Sequence, residues 1–312
     1  MIRDEIKNLI EKVIKKLYGM ESEVKIDRPQ DAAFGDYSTN VAMLIKKNPQ
    51  EIADAIKSGL LKKVEVKNGF INFFLSENYL QKQVGEILRQ GQSFGELRNG
   101  RGQKINVEFI SANPTGPLTL GNGRGGFCGD VLANVSAKAG YKVSREYYIN
   151  DTGEQVRKLG HSVLGDSEAV YKGPYIEDLK NKIKGDNPEE IGERAAGIIL
   201  EEMIKPSVKK MGIDFDVWFS EKKLHKKGEV NKVLEFLKNK KLAYEQEGAL
   251  WFKSTQFGDD KDRVLVKENG ETTYLSSDVA YLKDKFGRGF DKLIFFWGAD
   301  HYGYINRIKA AA

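Results

Sequence analysis

Residues 104–149 constrain the fold more than any other stretch. KINVEFI (104–110) is apolar and β-rich, the composition of a buried parallel strand. FCGDVLANVSAKAG (127–140) reads as a helix ending at Gly140, and YKVSREYYI (141–149) reads as a second strand. Strand, loop, helix, strand is a βαβ unit, and such units build a doubly wound parallel sheet.

The loop between them, PTGPLTLGNGRGG (114–126), contains Gly121-Asn122-Gly123-Arg124-Gly125-Gly126, a match to the G-x-G-x-x-G pattern of dinucleotide-binding proteins. That pattern needs its first glycine at the tight turn directly after the strand, so that the helix N-terminus meets a pyrophosphate. Here ten residues, including Pro114 and Pro117, separate Ile110 from Gly121. Glu146, about twenty residues beyond the glycines, is the one feature in favour of NAD.

The rest of the chain divides around this unit. Residues 1–20 carry Ile2, Ile6, Ile10, Val13, Ile14 and Leu17 at helical spacing. NPQEIADAIKSGLL (48–61) begins with Asn48 as cap and Pro49 in the first turn. KKVEVKNGFINFFLS (62–76) alternates as two strands joined at Asn68-Gly69, and a helix is expected near 77–90. We therefore expect a small α+β domain over 1–90, a Gly-rich polar linker over 91–103, and an α/β domain over 104–312. Residues 151–245 are too long for one crossover and read as a mostly helical insertion. NPEEIGERAAGIILEEMIKPSVKKMG (187–212) is its clearest helix, and DKLIFFWGAD (291–300) is a final core strand.

Composition excludes some classes. The 312 residues carry Lys+Arg 50 against Asp+Glu 45, a net charge of +5 that permits a nucleic-acid partner without requiring one. Cys128 is the single cysteine, so no internal disulfide is possible. With histidines only at 161, 225 and 301, no zinc site is expected. No apolar run approaches a membrane span and the N-terminus does not read as a signal peptide, so a cytoplasmic chain is expected.

FISANPTGPLTLGNGRGGFCGDVLANVSAKAGYKVSREYYINDTGEQ (109–155) resembles the arginyl-tRNA synthetase family. In that family Ala-Asn-Pro-Thr-Gly-Pro-Leu precedes the class I His-x-Gly-His element. TTYLSSDVAYLKDKF resembles the family's arginine-binding segment, and WGADHYGYINRIKAA its last core strand and following helix. FGDYSTNVAM and NGFINFFLS resemble its N-terminal tRNA-contacting domain. The resemblance implies a class I Rossmann-like doubly wound parallel sheet with a helical insertion, preceded by the small α+β domain. It also implies activation of L-arginine with ATP and Mg²⁺, transfer to tRNA(Arg), and a monomer, with no NAD.

It carries the following roles onto this sequence. Thr119 and Asn122 stand where the two histidines stood, as catalytic and ATP-binding residues; both can hydrogen-bond to phosphate, but neither can carry charge. Tryptophanyl-tRNA synthetases use a similar Thr-Ile-Gly-Asn form. Gly121, Gly123, Gly298, Asp300 and His301 complete the ATP set. Glu108, Asp278 and Tyr274 are implied for the guanidinium, and Ser111 and Asn113 for the amino-acid end. Glu108 is expected to lack a cation of its own, because a strand-end acid awaiting a cationic ligand explains it better than a structural lysine. Asn68, Phe70 and Asn72, expected on one exposed face of a strand, are implied for tRNA.

The family's Lys-Met-Ser-Lys-like loop and anticodon-binding domain are not found in the sequence, so we expect an N-terminal part that does not charge tRNA by itself. A non-catalytic tRNA-binding relative and an NAD-binding enzyme remain as alternatives.

Overall fold

A computed structural model describes residues 2–312, with the side chains of Ala299 and Asp300 outside what it describes. The chain separates into two compact units between Phe94 and Gly95, inside the expected 91–103 linker.

In the first unit, α1 (Ile2–Tyr18) buries Ile6, Ile10, Val13 and Ile14 on one face. After β1 (Tyr37–Thr39) come two short helices, α2 (Val41–Leu44) and α3 (Pro49–Ala55). Asn48 caps α3 by accepting the Gln50 N–H at 2.9 Å, and the helix stops well short of the expected Leu61. The strands β2 (Leu61–Lys67) and β3 (Phe70–Leu75) form the expected hairpin, and α4 (Glu77–Gln90) follows. Asn68 and Gly69 both have positive φ, 51° and 79°, the backbone that a two-residue hairpin turn requires.

The sheet order β1-β3-β2 puts β3 in the centre. This changes the expected face. Phe70 is exposed, but Ile71, Asn72 and Phe73 are all buried, with Asn72 only 3% exposed. Simple alternation failed because β3 is the central strand, and Asn72 stands in register between Ser38 of β1 and Glu65 of β2, side chains that a lone strand would lack.

In the second unit, the later part of the expected linker belongs to the domain that follows. Leu97 and Gly100 donate backbone bonds to Lys138 and Ala139 at 2.7 and 2.8 Å. β4 (Lys104–Glu108), α5 (Leu120–Lys138) and β5 (Lys142–Ile149) form the βαβ unit. Four helices follow: α6 (Glu154–Leu164), α7 (Pro174–Lys182), α8 (Pro188–Ile199) and α9 (Lys205–Lys210). A π-helical turn, Leu200–Ile204, joins α8 to α9.

The chain then returns to the sheet as β6 (Val217–Ser220), which pairs parallel with β5. The expected insertion over 151–245 is therefore interrupted. VWFS was missed because four residues flanked by charged helices carry almost no periodic signal. Next come α10 (Glu221–Lys226) and α11 (Glu229–Asn239), then β7 (Ala243–Gln246), β8 (Ala249–Phe252) and β9 (Arg263–Val266), which form a separate antiparallel sheet. α12 (Tyr274–Gly287), β10 (Lys292–Phe295) and α13 (Ile305–Ala311) complete the unit. Among the described residues the parallel sheet runs β10-β4-β5-β6.

α5 also begins earlier than expected, at Leu120, so Gly121–Gly126 lie in its first turns rather than in a loop. The helix lies very close to β4. A Cβ on Gly129 would fall 2.3 Å from the Phe109 ring, which only glycine avoids. Among the described residues no helix is long and apolar enough to cross a membrane.

Candidate active site

A cleft of about 1350 Å³ opens in the second unit. It lies beyond the carboxyl ends of three neighbouring strands, lined by Glu108 at the end of β4 and Ile110 beyond it, Asn150 after β5, and Phe296 and Trp297 after β10. Ligands of open parallel sheets bind at this end, where strand order reverses.

The backbone turns sharply on leaving β4. Ile110 and Ser111 have φ of 65° and 42°, uncommon for any residue with a side chain and strained for a β-branched one. Hydrogen bonds hold the turn in place. The Tyr148 N–H donates to Ser111 Oγ at 3.0 Å, and Ser111 Oγ donates to Glu108 Oε1 at 3.2 Å. Further on, the Tyr147 hydroxyl donates to the Ala112 carbonyl at 2.9 Å and the Tyr175 hydroxyl to the Thr115 carbonyl at 3.0 Å.

Acids and phenols line part of the cleft. Asp278 and Tyr274, four apart on α12, both line it, together with Tyr148, Tyr281 and Tyr304. Asp278 accepts the Tyr304 hydroxyl at 2.7 Å, and among the described residues no cation is paired with it. Burial pushes its carboxyl up to about 7 against the pull of the Tyr304 hydroxyl. The charges of Glu221 and Glu108 push the same way, and Arg307 opposes them least of all. Burial likewise raises the Tyr148 and Tyr304 hydroxyls, so both stay neutral donors.

Glu108 does have a cation, contrary to expectation. Lys285 of α12, fully buried, donates to its Oε2 at 2.6 Å and to Asn106 Oδ1 at 2.6 Å. The Tyr281 hydroxyl lies 2.7 Å from the same Oε2 and 2.6 Å from Glu146 Oε1, and its one hydrogen serves one acid at a time. Glu146, the residue favouring NAD, is fully buried and takes a two-pronged pair from Arg288 at 2.7 and 2.9 Å. Burial pushes its carboxyl up, but Arg288, Lys285 and Tyr281 together hold it below the usual range.

The first turn of α5 also lines the cleft, with Thr119, Gly121 and Asn122. Thr119 caps the helix: its Oγ accepts the Asn122 N–H at 3.3 Å, and Asn122 Oδ1 accepts the Thr119 N–H at 2.9 Å. The Thr119 hydroxyl also donates to Asn122 Oδ1 at 2.8 Å. The two side chains thus bond to each other as a capping box. Gly121, Arg124, Gly125 and Cys128 face the cleft along one side of α5. Gly123 does not line it; a Cβ there would meet Met211 at 3.9 Å.

The structure brings most of the expected residues to this one cleft: Glu108, Ser111, Asn113, Thr119, Gly121, Asn122, Tyr274, Asp278, Gly298 and His301. The Asp300 side chain is outside the described residues. Asn68, Phe70 and Asn72 belong to the first unit. Sequence reasoning missed Arg124, Tyr148, Tyr281 and Tyr304, which line the cleft, and Glu221, whose charge acts on Asp278 from outside the lining. Only Arg124 had a usable signal, since it falls one turn beyond Gly121 once the helix is known to begin at Leu120. Among the described residues no group of three or more His, Cys, Asp or Glu could hold a metal ion.

Residues 175–312 match the model of the class I tRNA synthetase (R) catalytic domain. Together with the parallel sheet and the cleft at its carboxyl ends, this makes the second unit a class I aminoacyl-tRNA synthetase domain. Residues 4–75 match the arginyl-tRNA synthetase N-terminal domain. The arginine–tRNA ligase of Bacillus subtilis is 43% identical over 100% of this chain and 62% of its own length. That of Halalkalibacterium halodurans is 45% identical over 93% and 58%. A crystal structure from Campylobacter jejuni, described as an arginyl-tRNA synthetase, is 38% identical, with TM-score 0.69 over 76% of this chain and 57% of that one. The Plasmodium falciparum arginyl-tRNA synthetase, 17% identical with TM-score 0.65, shares the fold. The chain belongs to the arginyl-tRNA synthetase family. It spans about 62% of the length of the Bacillus subtilis relative.

Proposed function

We propose that this chain carries the arginine- and ATP-binding cleft of an arginine–tRNA ligase, which activates L-arginine to arginyl-adenylate and transfers it to tRNA(Arg). The observation that carries this reading is Asp278: a carboxylate in the cleft wall, its pKa raised to about 7, surrounded by acids and phenols and without a paired cation among the described residues. Such a group gains most from a cation that brings its own hydrogen-bond fork. A guanidinium fits that demand better than an ammonium. Tyr274, one turn before Asp278, offers a phenol beside it. Glu108, already joined to Lys285, adds negative field rather than a free carboxylate. Ser111 and Asn113 suit the amino-acid end.

The adenylate-forming step joins two anions, so the nucleotide must sit near positive charge, with Mg²⁺ accompanying ATP as part of the substrate. The α5 N-terminus, with Gly121 leaving room beside it, supports binding the phosphates there. Gly298 and His301 line the same cleft and suit the nucleoside. Asp300 is proposed for the ribose from the resemblance alone. The NAD reading has less support, because the glycines lie within a helix and Glu146 is occupied by Arg288. For tRNA, exposed Phe70 and the turn residue Asn68 are the proposed contacts; Asn72 can act only by holding the hairpin.

Thermal unfolding tests the reading. L-Arginine at about 100 times its dissociation constant adds roughly 2.7 kcal/mol of stability. L-Lysine and NAD at the same concentration should not, and Asp278→Ala should abolish the arginine shift. A shift with NAD and none with arginine would overturn it.

A second reading, a non-catalytic relative, is favoured by one observation: Thr119 and Asn122 are engaged with each other. It expects L-arginine binding with no binding of MgATP.

A further inference from the structure

The cleft proposed for ATP is poor in positive charge. Among the described residues that line it, Arg124 is the only lysine or arginine. The two positions that carry histidine in the resemblance hold neutral side chains bonded to each other. Lys285 and Arg288 are committed to Glu108 and Glu146. Arg124, in contrast, is exposed and makes no ion pair among the described residues. It stands three residues after Gly121 and four before Cys128, on the side of α5 that faces the cleft.

We infer that Arg124 is the phosphate-binding cation of this cleft and supplies the charge that Thr119 and Asn122 cannot. The inference rests on the reading of the cleft as an ATP site. A guanidinium offers two parallel donors to non-bridging phosphate oxygens and stays charged throughout the working pH range. As the arginine carboxylate oxygen bonds to the α-phosphorus, the bond from that phosphorus to the bridging oxygen breaks. Its electron pair leaves with pyrophosphate, and no proton moves. Negative charge accumulates on phosphate oxygens, where a fixed cation is of most use.

Titration calorimetry of the 312-residue chain with MgATP, magnesium pyrophosphate, adenosine and L-arginine tests this. Arg124→Gln should weaken MgATP and pyrophosphate roughly 10- to 100-fold, the range for a hydrogen bond to a charged group. Adenosine and L-arginine should stay within about twofold, and Arg124→Lys should restore part of the loss. MgATP affinity unchanged in Arg124→Gln would overturn the inference. So would an equal loss of adenosine binding, or a parent chain that binds MgATP no tighter than adenosine. None of these outcomes touches the L-arginine arm, so the proposed function is judged separately.

Discussion

Helix α12 meets acids at both of its ends, and it treats them in opposite ways. Its C-terminal turn and the capping residue that follows bring Lys285 and Arg288 to Glu108 and Glu146 on the sheet, so that two buried carboxylates receive two cations from one end of the helix. Its N-terminal half brings in an acid of its own, Asp278, within the field of Glu221 and Glu108, and among the described residues no cation is paired with it. The pKa directions follow: Glu146 is held down, Asp278 is pushed up to about 7. Paired ions of the first kind are architecture, since breaking them costs far more than their net contribution. An acid of the second kind is a standing cost to the fold, and a ligand that neutralises it recovers that cost.

The largest expected effect attacks the paired half. Lys285→Met removes the cation from beneath Glu108 while the carboxylate stays buried, and breaking one side of a buried pair costs about 3–5 kcal/mol. Denaturant unfolding should register this as a lower midpoint, with Glu108→Gln in the same chain recovering part of it. A neutral result would mean that the pair is solvated and the contrast with Asp278 false.

Next in size is the unpaired half. Asp278→Ala should weaken L-arginine by about 2–4 kcal/mol, roughly 30- to 1000-fold, without the loss of stability seen for Lys285→Met. Loss of binding and stability together would make Asp278 structural after all.

Protonation sharpens the same contrast by about tenfold per pH unit. Asp278 is mostly protonated below its folded pKa of about 7, so binding a guanidinium there must expel the proton. The dissociation constant for L-arginine should therefore rise as pH falls from 7.5 to 6, and Asp278→Asn should flatten the profile at weak affinity. For stability the sign is reversed. A raised acid costs most above its folded pKa, and the cost fades as pH falls toward the unfolded value of 3.8. Asp278→Asn should then stabilise the chain at pH 8 and gain nothing near pH 4. Glu146 works the other way: its depressed pKa contributes stability above the ordinary glutamate value of 4.5, which acid removes.

How far all this could be read from sequence depends on the range of the interactions. The βαβ unit, the Asn68-Gly69 hairpin and α12 are written in local periodicity and turn chemistry, and the residues of the cleft are carried by a resemblance in long, ordered motifs. What failed was long-range. Lys285 lies 177 positions from Glu108, and nothing local announces that pair. β6 is too short to show a period. Asn72 lies between Ser38 of β1 and Glu65 of β2, a neighbourhood that sheet order sets rather than local sequence. Capping is local, yet the Thr119–Asn122 box went unread because the helix was expected to begin at Phe127.

That box gives the smallest effect and the finest test. Thr119→Ala deletes the hydroxyl that accepts the Asn122 N–H and donates to Asn122 Oδ1. Loss of an N-cap side chain costs about 1 kcal/mol of stability. If Thr119 acts only as a cap, MgATP affinity should change by no more than about twofold, because α5 keeps its N-terminus and Arg124. If Thr119 also leaves the box to bond phosphate, MgATP affinity should fall about tenfold at the same cost in stability. Calorimetry and denaturant midpoints on Thr119→Ala and Thr119→Ser separate the two, since serine keeps the hydroxyl and caps as well as threonine. A neutral pair that only caps α5 would then contrast with Arg124 one turn on, as Lys285, committed to Glu108, contrasts with Asp278, which has no paired cation among the described residues.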